Sequence, residues 1–223
     1  AAVEKGVERV ISASTSDVYG KSPEQPLMEE GDLVVGPPSV RRWSYAISKM
    51  FDEQMHMAFH QRYGLNTICI RFFGGYGPNQ NLTWWGGPQS IFITAALRNQ
   101  AMPIHGTGTQ TRTFTYVSDQ VSGIVLCLEK ETGPHRIFNI GNTTEISILE
   151  LARLIWRLIR HDEPRITMVP YETFGKYEDV LRRVPDISRA RSVLGFEPKV
   201  ELEEGLLRTI EWQRRTMMKD SYA

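Results

Sequence analysis

The hydrophobic pattern changes period several times along the chain. Residues 7–15, VERVISAST, run apolar and alternating, which predicts a buried strand. The six residues before them read as the end of a helix stopped at Gly6. SDVYG comes after the strand as a turn. Residues 21–39 hold four of the twelve prolines together with Gly31 and Gly36, so they predict a loop. From about 39 to 63 the apolar residues Ile47, Met50, Phe51, Met55, Ala58 and Phe59 step by three and four, the period of a helix, and Gly64 ends it.

TICIRFF, residues 67–73, predicts a second buried strand. GGYGPNQNLTWWGGP predicts a loop, and a helix comes next from about 89 to 99. Residues 103–119 predict a strand, a Gly turn and another strand, then a helix from 119 to 129 and the strand RIFNI. After the turn GNTTE, Ser147 and Glu150 stand three apart as a capping box in front of a helix running to about 160. Residues 170–185 predict a loop, and short helices near 188–194 and 202–217 finish the chain. Strands that alternate with helices imply a parallel sheet wrapped by helices, an α/β fold.

Composition narrows the partners. The chain has 223 residues, of which 26 are basic and 26 acidic, for a formal net charge of zero. That balance favours neither nucleic acid nor an anionic membrane as a bulk partner. No apolar run approaches the roughly 20 residues that span a bilayer. The opening AAVEKGVERVI carries acids and no separate apolar stretch, so it does not read as a signal peptide. Cys69 falls in a strand pattern and Cys127 on an apolar helix face, as buried free thiols in a reducing cytoplasm would. No paired Cys or His spacing suggests a metal site.

Three groups of residues carry chemistry. Ser14, Thr15, Ser16 and Asp17 lie at the end of a strand, where the active sites of parallel sheets gather. A hydroxyl there can bond a substrate oxygen, and Asp17 can exchange a proton. A polar turn with Asp17 as its cap would look the same. Tyr45 and Lys49, four apart, share one helix face, and an ammonium near a phenol favours the phenolate. A solvated helix face is the plain alternative. Arg112, Arg182 and Arg183 form an anion-binding group suited to phosphate oxygens, unless they are ordinary surface arginines.

The order STSDVYG, WSYAISK, RFFGGYGP, HGTGTQTRTFTYVSD, FNIGN, RRVPDI and LGFEPKVELEEGL resembles the extended short-chain dehydrogenase/reductases, the family of nucleotide-sugar epimerases, dehydratases and decarboxylases. The resemblance implies a partial Rossmann-type doubly wound sheet with a smaller C-terminal α/β substrate-binding region. Residues 1–73, with 117–141 returning to them, would form the dinucleotide-binding part. Residues 74–116 and 142–223 would mainly bind the nucleotide sugar. It further implies Thr15, Asp17, Tyr45 and Lys49 as the catalytic set. Ser14, Tyr45, Lys49 and Phe72 would contact NAD, which stays bound and is regenerated. Ser16, Gly74, Arg112 and Arg183 would contact a nucleotide-diphosphate sugar.

Three departures qualify the resemblance. The family's Gly-rich dinucleotide turn is missing, so we expect a chain that lacks about 100 preceding residues, at about 30 per βαβ unit, and binds NAD weakly by itself. Gly74 stands where the family usually has Asn, which removes a polar contact. Asp17 stands where the decarboxylases and dehydratases usually have Glu. RRVPDI is similar to the decarboxylases, whose second Arg lies near the sugar carboxylate. Arg183 therefore tilts the expected reaction, transient oxidation at sugar C4, towards UDP-glucuronate-type decarboxylation or dehydration. A plain UDP-sugar 4-epimerase and an inactive remnant that only binds sugar nucleotide are the alternatives. The resemblance also implies a homodimer, in which Met50, Phe51, Met55 and Met57 would be more exposed than in a complete enzyme.

Overall fold

The computed structural model describes the backbone of residues 1–220 and side chains through 218. Its first layer is a three-stranded parallel sheet in the order β1 (Val10–Thr15), β2 (Thr67–Phe72), β7 (Ile137–Ile140). Thr15 lies in register with Phe72, and Phe72 with Ile140. The three strands therefore end at one level, and the segments that leave them meet there. Their buried residues Ile68, Ile70, Phe138 and Ile140 pack with Cys127 of α3 (Val117–Glu129) and with Ile187, Leu194 and Phe196. Helix α1 (Trp43–Tyr63) crosses from β1 to β2 on this sheet. The α/β architecture expected from the alternating pattern is the one observed.

The apolar stripe of α1 is largely uncovered. Tyr45, Ile47, Phe51, Met55, Phe59 and Tyr63 are all exposed, Phe51 most of all at 64%. The helix buries Trp43, Ala46 and Glu53 instead. Met50 and Met57 are half-buried. Gly64, at φ 67°, caps the helix by donating its N–H to the His60 carbonyl, as a left-handed glycine does.

A second core gathers around α2 (Pro88–Leu97), α4 (Ile148–Ile159) and α5 (Leu202–Asp220). The Ser147–Glu150 capping box forms as the sequence predicts: Ser147 Oγ accepts from Glu150 N at 3.1 Å, and Glu150 Oε2 from Ser147 N at 3.0 Å. Short strands surround this core. β3 (Gly75–Tyr76) pairs with β6 (Thr115–Tyr116), and β4 (Met102–His105) with β9 (Ile166–Val169). β5 (Thr111–Thr113) runs between β8 (Glu145–Ser147) and β10 (Arg182–Arg183). The expected loop 170–185 thus contains a strand, too short to leave a periodic signal.

Candidate functional site

Two adjoining cavities open where the strands of the first sheet end. The larger, about 540 Å³, is lined by Ser14, Thr15, Asp17, Tyr45, Lys49 and Phe72, among others. The smaller, about 240 Å³, lies towards the second core and is lined by Trp84, His105, Arg112, Tyr171, Tyr177 and Asp179, among others. Ser16, Gly74, Phe114 and Arg183 line both, so one wall is common to the two. Every residue that the resemblance implies for catalysis, NAD or the sugar nucleotide borders one cavity or both.

Local structure explains the wall. Thr15 ends β1 in extended backbone and caps the 3₁₀ turn Ser16–Tyr19, accepting from Asp17 N at 3.2 Å. That turn lifts Ser16 and Asp17 above the strand end. Thr15 Oγ1 donates to Asp17 Oδ2 at 3.3 Å. Arg183 reaches the same carboxylate at 2.7 Å and Ser16 Oγ at 3.4 Å. Arg42, just ahead of α1, stands 3.7 Å from Asp17. Burial works to raise the pKa of Asp17. The charges of Arg183 and Arg42, with hydrogen bonds from Arg183 and Thr15, outweigh it and hold the carboxyl below the usual carboxylate range.

Arg183 is in register with Arg112 across β10 and β5. Strand alternation turns their neighbour Arg182 the other way, where it forms two 2.8 Å bonds to Glu145 at the surface. Of the expected arginine group, two face the cavities and one does not. Arg112 bonds Asp179 Oδ1 at 3.0 Å. Asp179 also accepts from Tyr171 OH, from its neighbour Val180 N and from Arg42. Burial and the nearby Arg183 charge bring Arg112 down to about 10, with Asp179 acting the opposite way. Thr113, which lines the smaller cavity, has its Oγ1 buried without a partner.

Tyr45 is 51% exposed at the rim of the larger cavity. Lys49 Nζ donates to Asp52 at 3.3 Å. Gly74 has φ 41°, and a Cβ there would sit 2.0 Å from the Thr113 carbonyl oxygen. The backbone path itself therefore leaves no room for the family's asparagine. Ser14 gives its hydroxyl to buried Glu53 at 2.5 Å. Glu53 holds Arg71 by two bonds of 2.9 and 2.7 Å, and the Arg71 guanidinium lies 4.7 Å from the Tyr19 ring centre. Tyr19 OH donates to Asn139 at 2.7 Å, and burial pushes its phenol up to about 12. This polar layer supports the turn from beneath.

Arg42, Tyr171, Tyr177 and Asp179 were not singled out from the sequence. Arg42 stands three residues before Tyr45, and that nearness was the one available signal. The other three lie in a stretch without periodicity.

The profile of the family described as GDP-mannose 4,6 dehydratase matches residues 1–209. The chain belongs to this family. UDP-N-acetyl-alpha-D-glucosaminuronate decarboxylase of Bacillus cytotoxicus is 38% identical over 212 residues, covering 94% of this chain and 65% of the relative. UDP-glucuronic acid decarboxylase 6 of Arabidopsis thaliana is 40% identical over 199 residues, covering 89% and 55%. The chain thus spans between about half and two thirds of these relatives. The structure of MoeE5 in complex with UDP-glucuronic acid and NAD matches with a TM-score of 0.81 and 32% identity, covering 96% of this chain and 68% of that one. The resemblance drawn from the ordered motifs agrees with these relatives. Among the described residues no helix is long and apolar enough to cross a membrane.

Proposed function

We propose that this chain carries the catalytic and substrate-binding part of an NAD-dependent decarboxylase of UDP-linked uronic acids. The observation that carries the reading is Arg183 on the wall shared by the two cavities, beside Ser16 and Asp17. A guanidinium there can hold a sugar carboxylate by two parallel bonds while the nucleotide occupies the smaller cavity. The decarboxylase names of the relatives from Bacillus cytotoxicus and Arabidopsis thaliana support the same class.

The larger cavity suits the nicotinamide and ribose half of NAD: it is open, lies beyond the sheet ends, and offers Lys49 and Tyr45 from one helix face with Ser14 and Phe72 behind them. When bound, NAD would accept hydride from sugar C4 and later return it. Tyr45 takes the proton of the C4 hydroxyl, and Thr15 bonds its oxygen. Lys49 places positive charge on the same helix face and donates to ribose. With C4 a ketone, the C6 carboxylate is that of a β-keto acid. The C5–C6 bond breaks, its electron pair moves to an enolate spanning C5 and C4, and CO₂ leaves. Asp17 relays the proton that C5 then receives. Arg112 holds the diphosphate.

Exposed Ile47, Phe51, Met55 and Phe59 support pairing of α1 with a second copy. Two buried free thiols support a cytoplasmic setting. Incubation of the complete enzyme that carries this chain, with NAD and with UDP-glucuronate, UDP-N-acetylglucosaminuronate or UDP-glucose, and with products read by mass spectrometry, tests the reaction. Loss of CO₂ from a uronate is the expected result. Unchanged mass with inverted C4 would replace it with epimerisation.

A further inference from the structure

Arg42 takes no part in the proposed chemistry, yet it sits between the residues that do. Its side chain is mostly buried at the head of α1. Nη1 bonds Asp179 Oδ1 at 3.1 Å and Tyr177 OH at 2.6 Å, while Nη2 stands 3.7 Å from Asp17 Oδ1. The charges therefore alternate in one line, Arg183, Asp17, Arg42, Asp179, Arg112, with gaps of 2.7, 3.7, 3.1 and 3.0 Å. The line starts at Arg183 on the shared wall and Asp17 in the larger cavity, and ends at Asp179 and Arg112 in the smaller, nucleotide cavity. Among the described residues Arg42 alone is ion-paired with both carboxylates.

We propose that Arg42 is a positioning residue that couples the two cavities, tying Asp17 to Asp179 so that an anion arriving at Arg112 resets Asp17. The reason is competition. Asp179 is shared by Arg42 and Arg112. Once phosphate oxygens engage Arg112, Asp179 keeps Arg42 as its main cation. The 3.7 Å contact to Asp17 is the longest in the line, so it is the one that yields. The guanidinium has a donor in reserve, because Arg42 Nε is buried without a partner. Asp17 then faces less positive charge when substrate is present, which makes it a better proton acceptor. The part played by the anion rests on the nucleotide-sugar reading; the tie between Arg42 and Asp17 does not.

The charged and titratable groups around Asp17 are Arg183 from β10, Arg42 from the head of α1, and Tyr45 and Lys49, which line the same cavity from α1. A carbon-13 NMR titration of the Asp17 carboxyl in the whole chain, with and without UDP, reads the proposal directly. Arg42→Gln should raise the Asp17 midpoint by about 1 pH unit, the low end of what a nearby opposite charge does. UDP should raise the midpoint in the wild type and raise it less in Arg42→Gln. Arg42→Lys keeps one charge but cannot fork to two carboxylates. It should restore part of the free-chain midpoint and, like Arg42→Gln, respond to UDP less than the wild type does. A folded Arg42→Gln protein, judged by circular dichroism, that titrates like the wild type overturns the proposal. Should Arg42→Gln fail to fold, a Lys variant with a full response to UDP overturns it equally. A wild type that binds no UDP defeats the nucleotide-sugar reading and the coupling, while the free-chain midpoints still decide the tie to Asp17.

Discussion

Arg112 and Arg183 are register partners on adjacent parallel strands, two like charges set side by side in a mostly buried place. Like charges opposite each other cost stability. Asp179 on one flank and Asp17 on the other offset that cost. The pair is nonetheless not neutralised in full once Arg42 is added, since three guanidiniums face two carboxylates. A residual positive charge at the seam of two cavities would favour an anionic ligand.

Binding of UDP should depend on this seam. Arg112→Ala should weaken it by about 1.5–3 kcal/mol, the worth of a hydrogen bond to a charged group. Arg112 is held near 10 by burial and by Arg183. It is charged at neutral pH and loses that charge as pH rises through its own value, so wild-type affinity should fall above about 10 while that of Arg112→Ala changes less. Calorimetric titration across pH measures both.

Tyr45 is half-exposed, so its removal should spare the fold. Tyr45→Phe keeps the ring and deletes the proton acceptor. Turnover should drop by about 10²–10⁴-fold, with the melting temperature unchanged. Retention of most activity would falsify the assignment of Tyr45 as base.

Gly74 shows how backbone geometry, rather than side-chain chemistry, explains a departure from the family. Gly74→Ala should cost about 1–3 kcal/mol from overpacking against Thr113, beyond the strain of its positive φ. Gly64→Ala supplies the comparison, because Gly64 has φ 67° but open space around a Cβ. Denaturant unfolding should find the Gly74 variant clearly the weaker of the two. Equal losses would mean that the wall yields.

Much of this site was legible in the sequence because its residues sit in short ordered motifs. Thr15, Asp17, Tyr45 and Lys49 lie at a strand end and on a helix face, features with local signatures. Asp179 and the tyrosines beside it were not legible. Their stretch has no period, and their role comes from β10 pairing with β5, a contact between distant parts of the chain. The polar layer of Glu53, Arg71 and Asn139 was hidden for the same reason: each looks ordinary alone. The stripe of α1 was legible as a helix and the exposure of Phe51 and Met55 was expected, but the burial of Glu53 on the same helix was not.

Glu53 is the member of that layer whose loss should hurt most. It accepts from Ser14 and twice from Arg71, all buried. Removing one partner of a buried pair leaves an uncompensated charge, at a cost of about 3–5 kcal/mol. Glu53→Ala should therefore unfold at much lower urea concentration. Replacing both partners, Glu53→Leu with Arg71→Met, should recover part of the loss. A Glu53→Ala protein as stable as the wild type would mean that Arg71 finds another acceptor, and Glu29, whose backbone carbonyl already accepts from it at 3.1 Å, is the nearest candidate.

Arg183 separates binding from decarboxylation. In Arg183→Ala the sugar carboxylate loses its bidentate partner and Asp17 loses its shortest ion pair. On the proposed reading oxidation at C4 needs neither, because Tyr45, Lys49 and Thr15 are the groups assigned to that carbon. The variant should therefore still form NADH from UDP-glucuronate while CO₂ release falls sharply. Arg183→Lys restores the charge without the planar fork, so it should bind UDP-glucuronate better than the alanine variant yet remain slow to release CO₂. Asp17 gives the complementary case. With Asp17→Asn, Arg183 stays and can still hold the carboxylate, but the proton owed to C5 has no relay, so the 4-keto product should form slowly, with slow entry of solvent deuterium at C5. Following NADH by absorbance, CO₂ by mass and deuterium by NMR in the three variants distinguishes the two roles. If Arg183→Ala stopped NADH formation as completely as Tyr45→Phe, Arg183 would serve in placing the whole sugar, and its assignment to the carboxylate would be wrong.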